Sequence, residues 1–295
     1  MLRALVELVR APAGLTVPGD VLAGAAAAGD LRVGRAVGLS ASSICIYWAG
    51  MALNDWADRE LDAVERPERP IPSGRVPAQT AFNLAAGLTV GGLVLSALSG
   101  GRSTLATSTA LAATAWSYDV VAKNSVAGPA VMAAARSLDV LVGAGPQRRR
   151  ALAPALAIGA HILGVTTLSR GEVHGGTPTP ARLSLAVSAA LTAGAAGRKS
   201  DAGWSRFVWR QRSTVAEVTT AALAGWFARG VVPAQLAAAR EPDASNIRTA
   251  VGAGIHGLVP LQAAWVARAG APRLGAGLAL AFPLVKALAK KVSST

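Results

Sequence analysis

The chain has 295 residues, of which 52% are apolar and only 15% charged, and its mean hydropathy is +0.41. A soluble domain carries about a quarter charged residues, so the composition argues against a soluble enzyme. Disorder is excluded by the same figures, because the chain has ample apolar surface to bury and few charges to hold it open. An all-α integral membrane protein is the class that remains. Lys and Arg number 29 against 16 Asp and Glu, a formal charge of +13. Membrane proteins hold such a surplus at loop ends that face anionic headgroups. No basic run interleaves with aromatics as a strand-binding groove requires, so nucleic acid is not an expected partner. The single Cys45 excludes an intramolecular disulfide framework and a cysteine zinc site.

Met1 to Arg10 carries Arg3, Glu7 and Arg10, and no convincing cleavage site follows, so the N-terminus is expected to remain. Residues 11 to 29 form the first expected span, broken only by Asp20. Residues 36 to 54, 76 to 101, 103 to 118, 151 to 169 and 249 to 267 contain no Asp, Glu, Lys or Arg. A crossing of the hydrocarbon layer needs about 20 residues. Three further spans, 126 to 144 with Arg136 and Asp139, 183 to 197, and 274 to 289, bring the count to nine. Residues 214 to 238 contain Glu217 and Arg229 and read as a tenth crossing or as a helix lying in the interface. The stretch 198 to 213 reads as a basic, tryptophan-bearing loop facing headgroups. Positive charge divides almost evenly between alternate loops, so it does not set the sidedness.

The segment after the second span is the richest in chemistry. Residues 54 to 75 hold six of the sixteen acidic residues. If the helix continues past Asn54, then Asp55, Asp58 and Asp62 fall at i, i+3 and i+7 on one face. Three carboxylates on one stripe repel each other unless a cation sits there. Hard oxygen ligands favour Mg2+, which takes one or two carboxylates while substrate phosphates fill other positions. The pattern suits a diphosphate held through magnesium, with Arg66 and Arg69 meeting phosphate oxygens and Pro67, Pro70 and Pro72 stiffening the loop. The competing reading is a solvated acidic loop balanced by its own arginines.

The order N-D-x-x-D-x-x-x-D followed by R-P-x-x-x-G, carried by Asn54, Asp55, Asp58, Asp62, Arg69, Pro70 and Gly74, resembles the first aspartate-rich motif of the UbiA superfamily of intramembrane prenyltransferases. Arg10-Ala11-Pro12 with Pro18-Gly19-Asp20 and Gly24, Tyr118-Asp119 with Lys123, and Arg136-Ser137-Leu138-Asp139 resemble its EboC-like bacterial branch. The likeness runs over nearly the whole chain. It implies one domain, 1 to 295, built as a UbiA-like bundle of nine helices around a central cavity in the cell membrane. It also implies Mg2+ as cofactor, bound by Asp55, Asp58 and Asp62, a prenyl diphosphate as donor, and an acceptor that the sequence leaves unknown.

Charges within spans are costly and are functional candidates by default. Arg136 and Asp139, at i and i+3, read either as a mutually neutralising pair or as contacts to the acceptor. Tyr118 and Lys123 are expected near the substrate, with Asp119 and Lys123 pairing at i and i+4. After the sixth span, Arg170, Glu172 and His174 stand where most UbiA-type enzymes place a second aspartate-rich motif. Only Glu172 supplies a carboxylate there, as a ligand or a base, while Arg170 is suited to phosphate oxygens. His161 and His256 read as packed residues, and Trp56 as a shield for the diphosphate or as a ring stacked beside a developing allylic cation. A non-catalytic isoprenoid-lipid binder or carrier on the same bundle is the alternative function.

Overall fold

The computed structural model describes residues 1–197 and 214–293, the side chains of 282 and 284–293 excepted. The basic stretch 198–213 lies outside the described residues. Each expected span coincides with a helix. A short α1 (Leu2–Leu8) and a 3-10 segment (Ala11–Thr16) precede α2 (Pro18–Ala28), which opens on a proline suited to the first helical position. Then follow α3 (Val33–Ala57), α4 (Arg59–Glu65), α5 (Ala78–Ser117), a π-helical turn (Tyr118–Ala122), α6 (Gly128–Ala144) and, after a 3-10 segment, α7 (Leu152–Ser169). The last four helices are α8 (Pro178–Ala196), α9 (Thr214–Arg240), α10 (Ala244–Arg268) and α11 (Pro272–Ser293). No strand occurs among the described residues.

The α5 stretch is two antiparallel arms. Gly101 has φ 72° and ψ −171°, a conformation open to glycine because it lacks a Cβ. Ser96 and Ser108, on opposite sides of that turn, share a 2.7 Å hydrogen bond, and Trp116 Nε1 donates to Thr89 Oγ1 at 3.1 Å. The division between the spans 76 to 101 and 103 to 118 falls at this reversal.

The chain forms two compact units, one of Met1–Ala155 with Phe282–Thr295 and one of Leu156–Ala281. In the first, α3 packs on the leading arm of α5, where Ser42 Oγ donates to the Gly92 carbonyl at 2.7 Å. Helices α2 and α6 approach so closely that a Cβ at Gly24 would overlap the carbonyl of Val140, and one at Gly143 that of Val21. Lipid tails are as apolar as side chains, so helices in a membrane associate through such small-residue contacts and hydrogen bonds. In the second unit His161 Nε2 bonds the Gly254 carbonyl at 2.8 Å and Gln235 Nε2 donates to Ser184 Oγ at 2.7 Å. His161 is thus the packed, hydrogen-bonded residue the sequence suggests. Four helical stretches among the described residues are long and apolar enough to cross a membrane: Val33–Ala57, Ala78–Ala122, Gly128–Ser169 and Ala244–Arg268. Val90, Val94 and Leu98 make an exposed apolar stripe on the first arm of α5, as a lipid-facing helix requires.

Candidate active site in the first unit

Helix α3 ends at Ala57, and Asp58 leaves helical geometry with φ −90° and ψ 3° before α4 begins. The single acidic stripe expected from an unbroken helix is therefore divided. Asp55 and Asp62, both buried, converge on Arg69, whose Nη1 stands 3.4 Å from Asp55 Oδ1 and 2.6 Å from Asp62 Oδ2. Asp58 turns instead to Lys123, its Oδ1 lying 2.5 Å from Nζ. Lys123 is therefore paired across helices, where spacing alone suggested Asp119. Asp119 accepts from Asn54 Nδ2 at 3.2 Å.

Two further arginines complete the cluster. Arg66 Nη1 stands 3.5 Å from Asp62 Oδ1, and Arg10 Nη2 donates to Asp55 Oδ1 at 3.0 Å. Arg10 has φ 48° and ψ 51°, left-handed backbone that costs a non-glycine residue about 1 kcal/mol or more. Its guanidinium reaches Asp55 from that conformation. Loop 66–77 is held by the Val76 N–H to the Pro70 carbonyl at 2.9 Å and by Arg75, which grips Glu7 of α1 at 2.6 and 2.9 Å. The Arg75 guanidinium holds the Glu7 carboxyl below its ordinary range. Trp56 lies against Phe82, with ring centroids 5.0 Å apart, and under the Arg59 guanidinium, so its ring is a packing element of the α3–α5 core. Tyr118 is half-buried at the start of the π-helical turn.

Asp55, Asp58, Asp62 and Asp119 thus meet Arg10, Arg66, Arg69 and Lys123, four carboxylates against four cations. No group of three or more His, Cys, Asp or Glu side chains is already drawn around one point among the described residues. The donor set nevertheless fits a divalent ion. Two buried carboxylates already share one cationic centre, and Asp62 Oδ1 is buried with no hydrogen bond. Asp55, Asp58 and Asp62 are the residues that would hold magnesium, with the arginines released to phosphate.

Arg136 and Asp139 do not pair with each other. Arg136 Nη2 lies 2.7 Å from Asp20 Oδ2 of α2, and Asp139 accepts from Ser43 Oγ of α3. In the second unit, loop 170–176 is tied by the Gly176 N–H to the Pro242 carbonyl at 2.9 Å and by Arg248 Nη1 to the Glu172 carbonyl at 2.7 Å. Burial raises the Glu172 carboxyl above its ordinary range, and Arg248 opposes that rise. Arg170 is exposed on the same loop. Arg10, which the sequence marks only through the first-helix resemblance, and Arg248, which it passes over, are the residues the structure adds. Arg10 carries a readable signal, an arginine two residues before a proline, whereas Arg248 carries none.

The pattern of the UbiA prenyltransferase family matches residues 15–232, and the chain belongs to that family. Over 87 residues it is 49% identical to digeranylgeranylglyceryl phosphate synthase of Ignicoccus hospitalis, covering 30% of this chain and 28% of that protein. Over 69 residues it is 42% identical to the bacteriochlorophyll synthase 33 kDa chain of Rhodobacter capsulatus, covering 23% and 22%. The chain thus spans less than a third of the length of these curated relatives. Across almost its full length it has the fold of a UbiA homologue from Aeropyrum pernix K1, with a TM-score of 0.60 at 17% identity over 89% of this chain and 96% of the other. A structure described as a study of digeranylgeranylglyceryl phosphate synthase in membranes gives 0.62 at 15% identity, covering 91% and 98%.

Proposed function

We propose that this chain is a multi-pass enzyme of the cell membrane that transfers an isoprenyl group from a prenyl diphosphate to a small aromatic or polar acceptor, with Mg2+ as cofactor. In this reading residues 1–295 act as one domain, and the chain is proposed to belong to the EboC-like branch on the strength of its motifs alone. The observation that carries the proposal is the convergence of Asp55 and Asp62 on Arg69. Family membership and relatives named as prenyl-transferring synthases support it.

The chemistry follows from an exchange of partners. When bound, magnesium supplies charge neutralisation to the departing diphosphate. Asp55, Asp58 and Asp62 would hold the metal in place of the cations they meet now. Arg10, Arg66, Arg69 and Lys123 turn to phosphate oxygens, for which the planar guanidinium fork is suited. Because these groups are fixed before reaction, they stabilise charge that develops as the carbon–oxygen bond breaks, an effect worth several kcal/mol in other sites. Within the second unit, Arg170 is proposed as a contact to phosphate oxygens and Glu172 as a ligand or base.

The test is pyrophosphate release from geranylgeranyl diphosphate by protein in lipid nanodiscs, with and without Mg2+. Asp58→Asn is expected to abolish the metal-dependent release, and retained release overturns the assignment. The carboxylate-poor loop 170–176 favours one second reading, an isoprenoid-lipid carrier. Tight lipid binding by the wild type without any turnover would establish it.

A further inference from the structure

Six arginines gather at the end of the first unit that lies away from the carboxylate cluster. Arg32 and Arg35 stand at the start of α3, Arg102 at the reversal of α5, and Arg148, Arg149 and Arg150 in the connection from α6 to α7. Their contacts bring these three places together. Arg35 Nη1 donates to the Gly143 carbonyl at 2.8 Å, Arg148 Nη2 to Ser103 Oγ at 2.8 Å, and Arg150 Nη1 to the Ala28 carbonyl at 3.3 Å. At 1.5 Å per residue, Asp55 stands about 33 Å along α3 from Val33, enough to cross the hydrocarbon layer. The arginines and the carboxylate cluster therefore sit at opposite boundaries of the membrane.

We propose that this end is a binding site for an anionic phospholipid of the leaflet opposite the carboxylate cluster. Packing accounts for half of the arginines. Arg35, Arg148 and Arg150 meet carbonyls where α6 and α2 end, and helix C-termini favour cations. Arg32, Arg102 and Arg149 are exposed and cap no helix. Arg102 and Arg149 make no hydrogen bond or ion pair among the described residues. Arg32 gives Nε and Nη2 to Asp30 and keeps Nη1 without a partner among the described residues. Residues 29–35, 99–104 and 145–151 hold Asp30 as their one acid, so six arginines less one carboxylate leave a charge of +5. The cations of the carboxylate cluster, by contrast, are matched one for one.

The surface beside these guanidinium groups decides the ligand. Helices α3 and α5 touch where a Cβ on Gly38 would overlap Ser99 Oγ. Val33 and Val37 of α3, and Val94 and Leu98 of α5, lie one turn apart on each helix next to that contact, and all four are exposed. Arg32 precedes the first pair in the chain and Arg102 follows the second, so an apolar strip ends in open guanidinium groups. A nucleotide or a nucleic acid satisfies the arginines and leaves the strip bare. A zwitterionic lipid covers the strip but carries its own ammonium group into the positive field. An anionic phospholipid matches both, with its phosphate on the guanidinium forks and its acyl chains on the valines and leucine.

The test counts lipids retained by the full chain in native mass spectrometry, titrated in detergent with dioleoylphosphatidylglycerol or dioleoylphosphatidylcholine. The anionic lipid is expected to bind about twentyfold tighter, since each nearby arginine is worth about fivefold. Arg102→Gln and Arg149→Gln are each expected to weaken it by about fivefold. Arg182→Gln removes an exposed arginine of α8 in the second unit and should leave the preference unchanged. All three substitutions fall on exposed side chains, so folding is retained. Glycerol phosphate, a headgroup without acyl chains, should not displace the bound lipid at equal concentration. Equal affinity for the two lipids, a preference untouched by Arg102→Gln and Arg149→Gln, or the same loss in Arg182→Gln overturns the inference. Displacement by glycerol phosphate overturns it too, because the arginines would then take a free anion.

Discussion

Two polar loops, one in each compact unit, carry opposite electrostatic designs. Residues 54–75 bring carboxylates inward and bind them to arginines and a lysine, so this loop can trade cations for a metal without exposing bare charge. Loop 170–176 holds one carboxylate, Glu172, and its backbone is fixed by Arg248. The difference teaches that the two loops are not two copies of one metal site. In the proposed reading the first holds a cation and the second meets an anion.

The largest expected effect sharpens that contrast. Asp62→Asn removes a buried carboxylate and, in the proposed reading, should lower pyrophosphate release by about 10²–10³, the scale of losing a preorganised electrostatic contact. Glu172→Gln should cost less than about tenfold by the same measure. Equal losses in steady-state assays would erase the distinction between the loops. Next comes Arg69→Lys. Arg69 meets Asp55 and Asp62 through the single nitrogen Nη1, which leaves the rest of its planar fork for phosphate oxygens in the proposed reading. A lysine does not reproduce that fork, so release should fall by about tenfold while helical content by circular dichroism is unchanged.

The smallest effect is a difference in sign with pH. Glu7 titrates below its ordinary 4.5 because of Arg75, so its contribution to stability is present above that value and lost as pH falls through its folded pKa. Glu172 titrates above 4.5, so its contribution is present below that value and lost as pH rises through its folded pKa. Thermal unfolding of Glu7→Gln and Glu172→Gln against wild type, followed from neutral into acid, should show opposite trends. The Glu7 effect should be about 0.2–1 kcal/mol, as exposed ion pairs give.

The helices were legible because lipid leaves one rule to obey: long stretches without charge. Even the hairpin in α5 announces itself through Gly101 and Arg102 between two clean runs. The sequence marked Asp55, Asp62 and Arg69, which the structure brings together, and it was silent on which cation each acid meets. Spacing along one helix suggested Arg136 with Asp139 and Lys123 with Asp119, yet the observed partners are Asp20 and Asp58 on other segments. Local periodicity fixes which side chains share a face. It is silent on what that face meets, and on a break such as that at Asp58, where no proline or glycine marks the end of α3.

The pairing of Asp20 with Arg136 bears on how the protein is made. The acid belongs to α2, and its counter-ion arrives only with α6, four helices later in synthesis. Until then the nascent span carries an unmatched acid in its first turn, a burden below the roughly 3 kcal/mol of a helix centre. Helix α2 therefore has reason to linger at the translocon until its partner emerges, so that α6 locks against a helix that entered long before.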